Sequence, residues 1–176
     1  AKRHPESVLT MILTTTLTID SDYVRDIQKE RFSTPLLLFL LKLVPAKTEL
    51  NLLLKKSTGF LACESEEDRK YGRGFYEVVA SDLNYKQRFI HSFKCVYMLK
   101  DYPLFKESDF EYLRGKIQVL LPEKDIFKKE DQDRLADLFR KLDAEILSVP
   151  GGHVGFIVQS EYYIDLMEKF LEKNVI

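Results

Sequence analysis

Two short apolar runs near the C-terminus, each closed by a proline, limit the fold more than any other feature. Lys116-Ile117-Gln118-Val119-Leu120-Leu121 follows Gly115 and stops at Pro122. Ala144-Glu145-Ile146-Leu147-Ser148-Val149 stops at Pro150-Gly151-Gly152. Runs of this length rich in Val, Ile and Leu and bounded by turn residues read as buried strands. Proline ends them because it has no N–H to give to a ladder. Between the runs, Leu135, Leu138, Phe139 and Leu142 fall at i, i+3, i+4 and i+7, one face of a helix over Asp131–Leu142. The same rhythm returns over Ser160–Lys173 with Tyr163, Ile164, Met167, Phe170 and Leu171, and Ser160 is the expected N-cap. Strand, helix, strand, helix at these lengths is a βαβα unit on a parallel sheet.

A third run of strand type, Val8-Leu9-Thr10-Met11-Ile12-Leu13, lies near the start of the chain. Its β-branched, continuously apolar character again reads as a strand buried on both faces, which needs neighbours on both sides. The stretch from Asp20 to Arg114 has no period-2 segment. Helical periods occur instead at Ser21–Phe32, Ser33–Val44, Thr48–Lys56, Glu66–Ala80 and Asn84–Leu99. The expected fold class is α/β, a three-stranded parallel sheet with an inserted all-helical cap. Its divisions are the first strand and its approach over residues 1–19, the cap over 20–114 and the βαβα part over 115–176. The Leu and Phe stripe over Leu36–Leu43 reads first as packing between helices, and second as the wall of an apolar pocket.

Composition removes several classes of function. With 45% hydrophobic and 31% charged residues the chain has enough apolar side chains for a core, which argues against disorder. Lys plus Arg number 27 against 28 Asp plus Glu, so nothing favours a nucleic-acid binder held by phosphate contacts. Cys63 and Cys95 are too few for a disulfide framework or a cysteine-rich zinc site, and are expected to be small apolar side chains in a reduced compartment. Three widely separated histidines do not suggest a metal centre either. The apolar run from Pro35 to Pro45 is interrupted by Lys42 and falls well short of the roughly 20 residues of a membrane span. No secretory leader pattern opens the chain. The expectation is therefore a soluble, cytoplasmic protein with no nucleic-acid or membrane partner and no cofactor.

Chemistry is expected where the strands end, because open parallel sheets bind ligands beyond their carboxyl edges. The second strand leads into Pro122-Glu123-Lys124-Asp125-Ile126-Phe127, and the third into Pro150-Gly151-Gly152-His153-Val154-Gly155-Phe156. A carboxylate and an imidazole thus leave neighbouring strands at one edge. An imidazole held by a carboxylate through one ring nitrogen can exchange a proton with a nucleophile through the other. Glycines beside His153 allow a tight loop.

These segments resemble the C-terminal half of the α/β-hydrolase family. There the triad runs nucleophile, acid, histidine along the chain. Pro122-Glu123-Lys124-Asp125 is similar to the family's Gly-x-x-Asp, with proline for glycine, and Pro150-Gly151-Gly152-His153 to its histidine loop. The helix ending Met167-Glu168-Lys169-Phe170-Leu171 resembles its last helix, and His4 to Leu13 the approach to its sixth strand. The resemblance implies that Asp125 and His153 are the acid and histidine of a triad, and that residues 20–114 are a lid. It also implies hydrolysis of a small ester, amide or similar substrate without metal or organic cofactor. The chain departs from the pattern at the nucleophile: none of its seven glycines is followed two positions later by serine. The resemblance therefore implies a nucleophile and oxyanion hole in a missing N-terminal half of the same protein, and this chain alone is expected not to catalyse.

Two rival readings stand beside this one. A non-catalytic protein of the same fold would use the pocket to bind a ligand or partner, and a homo-oligomer would cover the sheet edge. An interaction protein in which Asp125 and His153 have no joint role would hold the two side chains beyond hydrogen-bond reach. Among other residues, Glu123 competes with Asp125 but is expected to be solvated. His4 and His91 are read as surface or packing residues. Thr14, Thr15 and Thr16 leave the first strand at the same edge, as pocket wall or turn. Gly72-Arg73-Gly74 lacks the third glycine and preceding strand of a phosphate loop.

Overall fold

Three strands, β1 (Met11–Thr14), β2 (Ile117–Pro122) and β3 (Glu145–Val149), form one parallel sheet in the order β1-β2-β3. This computed structural model describes residues 3–16, 20–29, 33–54, 62, 65–82 and 84–175. Met11 stands opposite Ile117 in the first pairing, and Gln118 opposite Glu145 in the second. Central β2 is the buried strand. On one of its faces Ile117 and Val119 pack with Leu135, Phe139 and Leu142 of the α6 region (α6, Lys129–Arg140) and with Phe110 and Leu113 of the preceding turns. On the other, Leu120 packs with Val149 and with Tyr163, Leu166 and Met167 of α8 (Ser160–Asn174). The alternation of residues along β2 therefore feeds two cores, one under each helix.

β1 and β3 differ from the expectation of strands buried on both faces. All four β1 residues are half-buried, and Glu145 and Ser148 of β3 are exposed. Both strands are at edges, and among the described residues no further strand pairs with either. β1 also begins three residues later than expected. Pro5 starts a tight turn over Pro5–Ser7, which holds Val8 and Leu9 out of the ladder. Ser160 is the first residue of α8 and makes no cap. The chain enters α8 from the short helix α7 (Gly155–Val158) through Gln159, whose carbonyl already accepts from the Tyr163 N–H.

Among the described residues five α-helices separate β1 from β2: α1 (Ser21–Lys29), α2 (Ser33–Leu43), α3 (Ala46–Leu53), α4 (Glu66–Ala80) and α5 (Tyr85–Met98). They lie where the periodicity put them. The expected extensions of the first over 30–32 and of the third over 55–56 lie outside the described residues, as does Cys63. α2 packs on α5, α3 on α4, and α4 on both α5 and α7. The Leu36, Phe39, Leu40 and Leu43 side chains are exposed, which differs from the expected packing between helices. α2 nonetheless packs on α5, and its Leu41 is half-buried. Cys95 is exposed too, not an apolar core residue, because α5 turns it away from its packed side. Gly72-Arg73-Gly74 lies inside α4, so no loop forms there. Among the described residues no helix is long and apolar enough to cross a membrane.

Candidate functional site

The backbone joins the two loops beyond the strands before any side chain is considered. Glu123 donates its N–H to the Val149 carbonyl at 3.0 Å, and Lys124 to the Gly151 carbonyl at 3.1 Å. The parallel ladder of β2 and β3 thus continues past their ends, and Asp125 and His153 each follow directly from it. His153 Nδ1 lies 2.8 Å from Asp125 Oδ1. The Asp125 side chain is 1% exposed and that of His153 20%, so the pair has a shielded end and an open end. An ionised carboxylate can only accept, so in this contact Nδ1–H donates and Nε2 becomes the nitrogen that can take up a proton.

Three neighbours fix the pair. Phe127 donates its N–H to Asp125 Oδ1 at 3.3 Å, two residues on, as in an Asx turn. The Phe127 ring meets the imidazole edge to face, with centroids 5.1 Å apart. Asp125 Oδ2 is buried and accepts no hydrogen bond among the described residues. On the histidine side, Gly151 adopts φ +93, a left-handed conformation that glycine takes without strain. Val154, the residue after His153, is buried against Leu54 and Tyr76 of the helical insertion. Burial, with Tyr85 nearby, pushes the Tyr76 phenol up to about 12, so it stays neutral beside the loop.

The remaining sequence candidates lie apart from this pair. Glu123 is exposed, His91 is on the exposed side of α5, and His4 is exposed at a 3.4 Å contact with Glu6. Thr14 ends β1 with its hydroxyl oxygen buried and, among the described residues, without a hydrogen-bond partner, and Thr15 adopts φ +48. Among the described residues no group of three or more His, Cys, Asp or Glu side chains could hold a metal ion. Phe127, Gln132 and Tyr163 were not singled out in the sequence. The available signal is that Gln132 stands three residues before Leu135, a polar residue on an apolar helix face, and that Tyr163 is a hydroxyl-bearing member of the α8 stripe.

Comparison of the chain with protein-family models, with curated proteins and with solved structures finds no match.

Proposed function

We propose that this chain is the acid- and histidine-bearing portion of a serine-type α/β hydrolase that acts on a small ester, amide or similar substrate. The observation that carries the reading is the 2.8 Å contact between a buried carboxylate and a partly open imidazole, each just beyond the carboxyl end of adjacent parallel strands. The rival in which the two residues have no joint role expects them out of reach. In the proposed reaction Asp125 holds the imidazole with Nδ1–H toward itself and stabilises the positive charge that forms on it. Nε2 of His153 takes the proton of the attacking hydroxyl and then gives it to the leaving group. The nucleophile and one oxyanion-hole N–H come from a strand–turn–helix elbow in a segment upstream of β1, whose outer edge is the place for the next strand, and the second N–H comes from an earlier loop of that segment.

The test begins with the protein purified from its own cells. Its intact mass and N-terminal sequence are read, and it is treated with a fluorophosphonate and with short-chain nitrophenyl esters. The expected result is a polypeptide with an upstream elbow whose serine is labelled. Hydrolysis should fall at least about a thousandfold in His153→Gln, and by a comparable factor in Asp125→Asn, which spoils the tautomer. An elbow without Ser, Cys or Asp, or ester hydrolysis unchanged in both variants, would overturn the reading.

A further inference from the structure

A proline closes each strand that leads to the candidate pair, Pro122 as the last residue of β2 and Pro150 directly after β3, and in both cases the paired residue comes three positions later: Asp125 after Pro122, His153 after Pro150. The two proline carbonyls share a problem. Glu123 N–H and Lys124 N–H point from β2 toward β3, so across the trans peptide the Pro122 carbonyl points the opposite way, toward β1. β1 has already ended there, since its last residue, Thr14, pairs with Leu120. On β3, the Val149 and Gly151 carbonyls accept from β2, so the Pro150 carbonyl between them points outward, past the sheet edge. A buried carbonyl without a strand beside it needs another donor.

A later helix supplies one in each case. Gln132 Nε2, on α6, donates to the Pro122 carbonyl at 2.9 Å, and the Tyr163 hydroxyl, on α8, donates to the Pro150 carbonyl at 3.2 Å. Both side chains are in the core, Gln132 at 5% exposed and Tyr163 at 1%. Gly155 keeps the second contact open, because a Cβ there would come within 2.7 Å of the Tyr163 oxygen. Burial, with the Asp125 carboxylate and Tyr162 nearby, holds the Tyr163 phenol above its ordinary range, so the hydroxyl remains a donor.

We infer that Gln132 and Tyr163 are matched positioning residues, which hold the Pro122 and Pro150 carbonyls and through them set the contact between Asp125 and His153. The inference rests on the proposed role of that pair. Each bond fixes the point from which its loop departs, three residues short of the side chain it delivers. A site of this kind needs its members held to about half an ångström, which loops alone do not provide.

The experiment is solution NMR of the protein labelled with 15N-histidine, with His153→Gln assigning the signal and Asp125→Asn as control. In the wild type the His153 Nδ1–H proton should be visible and slow to exchange, and lost in Asp125→Asn. Tyr163→Phe removes only a hydroxyl, and Gln132→Met replaces the carboxamide with an apolar side chain of similar length. Each should speed exchange of the Nδ1–H proton about tenfold, through more frequent opening of the pair. Leu135→Ala, a core truncation that loosens no proline carbonyl, should leave it within about twofold of wild type when compared well below the melting range. Either clamp variant carries the test if the other does not fold. Exchange unchanged in a folded clamp variant, or quickened equally by Leu135→Ala, would overturn the inference while leaving the pair intact. Absence of any Asp125-dependent Nδ1–H signal in the wild type would instead remove the reading on which it rests.

Discussion

At Gly151 the backbone has φ +93, and a Cβ would come within 3.3 Å of both Gly155 Cα and Gln159 Oε1. Gly151→Ala should therefore cost at least about 1–2 kcal/mol from the left-handed conformation alone, with backbone crowding added. Gly74, inside α4, has ordinary helical geometry and open space where its Cβ would go. Gly74→Ala should raise stability by up to about 1 kcal/mol. Urea denaturation of the two variants checks both signs. Glu49 of α3 is a different residue-scale case: it is buried, among the described residues neither carboxylate oxygen is hydrogen-bonded, and Tyr85 and Lys86 of α5 are titratable neighbours. Burial raises its pKa, and Lys86 only partly opposes this. The folded chain thus holds this proton more tightly than the unfolded chain does. The resulting stability is complete below the ordinary Glu range and is lost as pH rises through the raised folded value. Glu49→Gln should match wild type at about pH 4 and be the more stable of the two at about pH 8, where wild type must bury a charge or take up a proton. Equal stability of the two proteins at both pH values would contradict this.

Asp20 links two elements by using both its oxygens. Oδ1 accepts the Tyr23 N–H at 2.7 Å and caps α1, while Oδ2 accepts from Arg134 Nε of α6 at 3.0 Å. Asp20→Ala should cost about 1–2 kcal/mol, and Asp20→Asn should recover most of it, because Asn caps as well as Asp and a half-exposed ion pair contributes under about 1 kcal/mol. Thermal melts of the two variants separate these contributions. Phe139→Ala, on the buried face of α6, should cost about 3–5 kcal/mol because β2 and the Phe110 ring close around it. Elements of this kind were legible in the sequence, since α4, α5, α6 and α8 each repeat apolar residues at a helical period and Pro122 and Pro150 end their strands. Asp125 and His153 were legible as positions because a carboxylate and an imidazole follow two strand ends, with the choice of Asp125 over Glu123 resting on the spacing of the resembled family. The distance between them was not, because it depends on Lys124 N–H reaching the Gly151 carbonyl. Gln132 and Tyr163 were hidden for a related reason: periodicity gives the face of a helix a residue is on, but not which carbonyl has run out of ladder. The exposure of Leu36, Phe39, Leu40 and Leu43 was misread because four apolar residues at helical spacing say that a face is apolar and nothing about what covers it.

At the scale of the molecule the same question returns at the sheet. All-parallel sheets bury both faces, and their inner strands have neighbours on both sides. β2 satisfies this, with Ile117, Val119 and Leu120 fully buried. β1 is a run of Met11, Ile12, Leu13 and Thr14 that remains half-buried, and among the described residues only β2 pairs with it. Its outer N–H and C=O groups face no further strand among the described residues, and its four residues include no lysine or proline of the kind that commonly blunts an edge. The exposed apolar face of α2 adds a second surface prone to association. A chain with these two surfaces should not remain dispersed on its own. We expect residues 1–176, produced alone, to run in light-scattering chromatography at a mass above the 20.6 kDa of one copy and to bind a hydrophobic dye. Production together with an upstream segment that ends in a strand–turn–helix elbow should give a one-to-one complex with the dye signal lost, since the next parallel strand would pair with β1. A monodisperse 20.6 kDa species without dye binding would show that the β1 edge needs no cover, and would take away one support of the hydrolase reading. The 2.8 Å contact of Asp125 with His153 would then have to be explained within this chain alone.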